Sequence, residues 1–357
     1  MGKLRAGLGT PLSEVVLLDD WHLRKLRALS VTTVEELLGL IAADPDTIPS
    51  FLEVTNLAQL QADARPLTSA AIMNEQDRVG SPLHSKGARR PAAIEEEFQA
   101  DFATFETLLQ TFEIAPSALA AGESRDLIDG FGPIRSQGDR GTCVAYAGCA
   151  VLEYLLRNVS GEWVDLSEQF LYWKSKQLDG IPNESGTFLE VAMPSLVTHG
   201  TCLESTWPYR DVPVPGNEGQ GPPPPSAVTD ALDLRAQHSQ AHAPRSSTGL
   251  RRMVDEGRPV AIPVPVFRNW DSNPNTNAYG LIPMPLPNSV LTGGHAMCVV
   301  GYAQDDDFPG GGGFILRNSW GTDWAPRSPV LPGYGVIPFA YIDLYAWEAF
   351  SLDTAVK

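Results

Sequence analysis

Residues 143–159, CVAYAGCAVLEYLLRNV, form an almost uncharged run that opens on a cysteine directly after the turn sequence QGDRGT. A run this apolar reads as a helix buried on all sides. A second helix is expected at 167–178, SEQFLYWKSKQL, with Ser167 as its cap. The β-rich runs come later, at 258–267, 295–303 and 312–320, with QDDDFPGGGG as a hairpin loop between the last two. Helices first and strands later define an α+β domain.

The 357 residues exceed one ordinary core, and 43% of them are apolar, so a larger domain with a smaller companion is expected. Thirty prolines and 32 glycines argue against an all-helical bundle. The companion is read at 1–78. VEELLGLIAA (34–43) has a helical apolar face, Thr32 or Thr33 for a cap, and Asp44-Pro45 to end it; residues 49–64 read as one more helix. LRKLRALSVTTVEELLGL resembles helix-hairpin-helix modules, with Ser30 where such hairpins carry glycine. Residues 79–93, polar and rich in Gly, Pro and basic side chains, read as an exposed linker. Residues 94–125 form a connection, whose helix at 94–112 lines up Phe98, Phe102, Phe105, Leu109 and Phe112. That stripe is expected to dock on the larger domain, 126–357.

The formal net charge is −17, and residues 1–90 are near balance with 10 basic and 11 acidic side chains. The acidic remainder disfavours nucleic acid and anionic membranes as partners. No stretch of 18 apolar residues and no signal-peptide core is present, and four scattered cysteines do not make a disulfide scaffold. A cytoplasmic location follows as the expectation. No cysteine or histidine spacing suits zinc, so no metal and no cofactor are expected.

Three segments belong together: SQGDRGTCVAYA (136–147), TGGHAMCVVGY (292–302) and LRNSWGTDW (316–324). A cysteine attacks a carbonyl as thiolate, and its free pKa is about 8.5. Cys143 opens a helix whose N-terminus favours negative charge. His295 follows Gly293-Gly294, which leaves the backbone close to a cleft, and is suited to take the thiol proton. Asn318 is suited to orient the imidazole, Trp320 to shield that bond, and Gln137 to donate to a developing oxyanion.

With these residues in this order the chain resembles the papain-like cysteine peptidases over residues 126–353. The resemblance implies a helical lobe and a β-barrel-like lobe with a cleft between them, a polypeptide substrate, and a thioester acyl-enzyme. It also implies that NESGTF (183–188) is the loop that pairs with the substrate backbone, which makes Gly186, Ser185 and Gly294 substrate-binding candidates. Val144 stands where the family usually has Trp, and Arg140 where its secreted members have a bridging cysteine. The usual propeptide helix motif is missing from 94–112. Alternatives on the same fold are a weakly active peptide-binding adaptor, a transpeptidase or an exopeptidase. Residues 1–78 are read as a docking surface for a protein partner, folding separately from the peptidase.

Overall fold

The computed structural model describes residues 4, 8–80, 82, 84–91, 100, 102–114 and 123–356. Its N-terminal part is helical: α1 (Asp20–Ala28), α2 (Val34–Ala43), α3 (Leu57–Ala64) and α4 (Ala70–Val79). α2 starts at Thr33, whose Oγ1 accepts from the Glu36 N–H at 3.3 Å while the Glu36 carboxylate accepts from the Thr33 N–H at 3.1 Å, a reciprocal cap. Ser30 takes a left-handed φ of 65° between α1 and α2, where glycine would be the easier residue. The single helix expected over 49–64 is two. A turn at Ile48–Phe51 stops before Glu53, with φ 53°, and α3 restarts on the Asn56 side chain, which accepts from the Gln59 N–H.

The helical module shares its core with the larger domain. Leu26, Leu29, Leu37, Ile41 and Phe51 belong to one apolar cluster with Phe267, Trp270, Met284 and Tyr341. Polar bonds cross the same boundary: Gln76 Nε2 donates to Asn275 Oδ1 at 2.8 Å, the Met284 N–H to the Leu29 carbonyl at 3.0 Å, and Ser289 to Asp44 at 2.9 Å. A Cβ at Gly39 of α2 would lie 2.7 Å from Asn273 Oδ1, so the two parts meet as closely as elements of one domain. This packing runs against the separate folding expected for 1–78.

The helix after the linker is α5 (Phe102–Ile114); Phe98 and most of the segment before it lie outside the described residues. Phe105 packs edge-on against Phe51 at 5.0 Å, so this residue of the stripe meets the helical module, within the core that the module shares with the larger domain.

The larger domain begins with β1 (Ser124–Asp126), then α6 (Cys143–Ser160), α7 (Glu168–Leu178) and α8 (Leu189–Thr198). Ser167 caps α7 by accepting from the Phe170 N–H at 3.1 Å. The strands are β2 (Arg235–Ala241), β3 (Val260–Phe267), β4 (Leu291–Gln304), β5 (Gly312–Arg317), β6 (Tyr334–Pro338) and β7 (Phe350–Val356). They form an antiparallel sheet ordered β2-β7-β3-β4-β5-β6, with β1 also on β4. Alternation along β4 sets the two faces: Ala296, Cys298 and Val300 pack with α6, whereas Met297 and Val299 face the cluster shared with the helical module. Among the described residues no helix is long and apolar enough to cross a membrane.

Candidate active site

Cys143 is the first residue of α6, and its Sγ accepts from the Ala296 N–H at 3.4 Å. That contact places the thiol at the β4 backbone, one residue after His295; Sγ and the His295 ring are not hydrogen-bonded. Asn318 follows β5, the strand next to β4. Asn318 Oδ1 accepts from its neighbour's N–H, Ser319, at 2.8 Å, and lies 2.7 Å from His295 Nε2. The backbone donor fixes which amide atom is the oxygen. His295 Nε2 therefore carries the hydrogen, and Nδ1, buried without a hydrogen-bond partner, is the acceptor nitrogen. Trp320 stacks on the imidazole at 4.3 Å and covers the His295–Asn318 bond.

Gln137 is fully buried. Its Oε1 accepts from Ser319 Oγ at 2.7 Å, and its Nε2 donates to the Arg140 carbonyl at 2.7 Å and to the Ser85 carbonyl at 3.1 Å. The loop between Gln137 and Cys143 has no disulfide, but it is not loose. The buried Arg140 donates to Gln169 Oε1 at 2.7 Å and to the Arg210 and Glu218 carbonyls at 2.8 and 2.9 Å. A guanidinium thus ties the loop where secreted relatives are expected to use a bridge. All four cysteines are free and buried.

The partner of Gln137 comes from the segment expected to be an exposed linker. Residues 84–91 lie in the cleft, and Gly87 and Ala88 are buried. The Ser85 carbonyl also accepts from Trp320 Nε1 at 3.1 Å, and His84 stacks on the other face of Trp320 at 4.3 Å. The Ala88 N–H donates to the Gly294 carbonyl at 3.0 Å. The Thr187 N–H donates to the Gly87 carbonyl at 2.9 Å, and the Arg89 N–H to the Thr187 carbonyl at 2.9 Å. The pairing of Ala88 with Thr187 is parallel. Lys86 Nζ reaches Asp271 Oδ2 at 2.7 Å.

Gly186 and Ser185 border this segment in different ways. Gly186 spends its N–H on Tyr172 and its carbonyl on Lys176, so the two ladder bonds come from Thr187 instead. Gly186 provides clearance: its φ is +89°, and a Cβ there would lie 2.4 Å from the Gly87 carbonyl oxygen. Ser185 accepts from Arg89 Nε through its carbonyl at 2.8 Å. Gly294 has the same need for space, since a Cβ would lie 2.3 Å from the Ala88 carbonyl. Thr187, Ser319 and Asp271 escaped the sequence reading. The available signal was the Gly87-Ala88 pair, two small residues that let a backbone approach a cleft between flanking basic side chains.

Burial governs the electrostatics of the filled cleft. The Cys143 thiol is pushed up to about 11 by burial, only partly opposed by backbone N–H groups including those of Ala296 and Gly87. Burial holds His295 down at about 3, against the Asn318 bond, which raises it, and His84 down at about 4. Thiol and imidazole are neutral in this state.

Residues 122–328, more than half of the chain, match the family described as "Papain family cysteine protease". Cysteine proteinase 3 of Entamoeba histolytica is 27% identical over 227 residues, 62% of this chain and 66% of that protein. An uncharacterized peptidase C1-like protein of Acanthamoeba polyphaga mimivirus is 25% identical over 58% of this chain and 64% of its own length. The matches thus span slightly less than two thirds of these relatives. The crystal structure of xylellain, a cysteine protease from Xylella fastidiosa, superimposes with a TM-score of 0.59 at 22% identity, over 77% of this chain and 97% of that one. The helical lobe, the antiparallel sheet and the cleft between them are the papain-like fold, and the chain belongs to the papain family of cysteine proteases.

Proposed function

We propose that the protein is a cysteine peptidase with Cys143 as nucleophile, His295 as base, Asn318 as orienting residue and Gln137 in the oxyanion hole. The observation that carries this reading is the tautomer of His295: Asn318 Oδ1 takes the Nε2 hydrogen and leaves Nδ1 as the free acceptor nitrogen, while the thiol at the start of α6 is held by the N–H of the next residue, Ala296. In the reaction Cys143 Sγ attacks the substrate carbonyl carbon, the C–N bond breaks, and His295 delivers the thiol proton to the leaving amine. Water, deprotonated by His295, then hydrolyses the thioester. Gln137 Nε2 and a backbone N–H stabilise the oxyanion of each tetrahedral intermediate.

The same reading makes residues 84–91 an internal blocker. Their parallel pairing with Thr187 runs opposite to the antiparallel pairing that the family resemblance implies for substrate, so no peptide bond is presented to Cys143 in the productive sense. Opening the cleft rehydrates Cys143 and His295, and the helix N-terminus then favours the thiolate. Residues 1–78 pack against Asn273 and Asn275, close in sequence to the Asp271 that holds Lys86, and offer the surface on which a protein partner would trigger release. The four free cysteines suit a reducing, cytoplasmic setting. The test is a peptide-library digest by the full chain carrying Gly87→Ala, in which a Cβ 1.9 Å from the Gly141 carbonyl oxygen displaces the blocker, with a Cys143→Ala control in the same background. Cleavage is expected only with Cys143 in place, and product masses separate hydrolysis from transpeptidation or end-trimming.

A further inference from the structure

Asp271 ends the short helical turn Arg268–Asp271 after β3, and its side chain is 1% exposed. A carboxylate so deeply buried requires a partner. Its partner is Lys86 of the blocking segment, 2.7 Å from Oδ2, while Oδ1 has no hydrogen-bond partner at all. The Lys86 stem lies on Gly293: a Cβ there would meet its Cδ, Cβ and Cε at 3.3–3.5 Å. Lys86 Nζ also donates to the His84 carbonyl at 3.0 Å. When the blocker leaves, Asp271 remains as an unpaired carboxylate at the end of a slot floored by glycine, shaped for a long unbranched cationic side chain.

The slot lies on a definite side of the nucleophile. The Thr187 ladder takes residues 87–89 of the blocker, whereas Ser85 and His84 lie against Trp320, the indole that covers His295. His295 is the group that protonates the departing amine, so the leaving half of a substrate extends past Trp320. Trp270, next to Asp271 in the chain, stands 6.3 Å from Trp320. We propose that Asp271 is the floor of a subsite that selects a lysine or arginine side chain in the residue immediately after the cleaved bond. The blocker fills that subsite with its own Lys86. The assignment rests on the peptidase reading of the site.

The test uses the full chain carrying Lys86→Ala, which takes the side chain out of the slot, together with Gly87→Ala, which displaces the segment, and quenched peptides identical except for Lys, Gln or Glu after the scissile bond. The lysine peptide is expected to exceed the glutamate peptide in kcat/KM by about ten- to a hundredfold, the scale of one charge-assisted hydrogen bond. Asp271→Asn in the same background should reduce the ratio to about threefold or less. Equal cleavage of all three peptides, or a preference that survives Asp271→Asn, overturns the proposal and leaves the peptidase reading standing. Absence of any cleavage would count against the peptidase reading instead. In that case the affinities of the Lys and Glu peptides for a Cys143→Ala, Lys86→Ala, Gly87→Ala chain, read by fluorescence anisotropy, decide the subsite: tighter lysine binding lost in Asp271→Asn supports it, and equal binding refutes it.

Discussion

The Ser85 carbonyl oxygen sits 3.1 Å from Gln137 Nε2, so the amide proposed to receive a substrate oxyanion is occupied by the protein's own backbone. Around that bond the whole cleft is closed: Thr187 and Gly294 hold the backbone of residues 87–89, and Asp271 holds Lys86. The resting protein is therefore a blocked site, and its reactivity depends on how firmly eight residues are held.

Gly87 is the weakest point of that hold. A Cβ at this position would lie 1.9 Å from the Gly141 carbonyl oxygen, a backbone atom that cannot step aside. Gly87→Ala should displace the segment while leaving Cys143, His295 and Asn318 untouched. Alkylation of native Cys143 by iodoacetamide should accelerate by about tenfold or more, on the scale of the 1–3 kcal/mol that overpacking costs. An unchanged alkylation rate would mean that the segment does not control access.

Limited trypsin digestion gives an independent view of the same contact. Lys86 is only 12% exposed and paired with Asp271, so cleavage after it should be slow in the native chain at neutral pH. Gly87→Ala should speed it. Rapid cleavage after Lys86 in the unaltered protein would restore the exposed linker that the composition suggests.

Acid should open the cleft. Burial depresses His84 from 6.5 to about 4 and His295 from 6.5 to about 3 in the closed form. Both rings stay neutral while closed and take up protons once hydrated, so the opened form binds more protons below pH 6.5. The closed form is then fully favoured above that pH and loses ground as pH falls towards 4. His295 gains the proton that Cys143 gives up, so His84 is the one net proton linked, and the opening constant should rise by up to about tenfold per pH unit in this window. Tryptic cleavage after Lys86 is impractical at low pH, so hydrogen exchange at Gly87–Arg89 is the readout. Exchange that is independent of pH-corrected chemistry between 6.5 and 4.5 would contradict it.

How much of this was legible beforehand differs by element. The capped helix at 34–43, the cysteine-led helix and the three strand runs follow from periodicity, caps and turns, all local signals. Gln137, Cys143, His295 and Asn318 converge because α6 packs on the face of β4 that carries Ala296 and Cys298, and β5 lies beside β4. The blocker was not legible. SKGARRP is polar and turn-rich, and its order comes from Gln137, Thr187, Asp271 and Gly294, which are 46 or more residues away in the sequence. The docking of residues 1–78 was hidden for a similar reason: an amphipathic helix does not declare which neighbour will cover its apolar face.

That docking has a measurable consequence. Phe51 is fully buried against Phe105 in the shared cluster, so Phe51→Ala should cost about 3–5 kcal/mol of global stability. Denaturant unfolding should stay a single transition for both proteins. A separate low-stability transition confined to the helical module would restore an independent domain.

The measurement closest to the central claim is mass-spectrometric mapping of the adduct formed by a peptidyl epoxide with the Gly87→Ala chain under native conditions. The account predicts modification of Cys143 alone among the four cysteines, and its loss, with the fold intact by circular dichroism, when His295 is replaced by alanine. Absence of a Cys143 adduct, or labelling that is indifferent to His295→Ala, would contradict it.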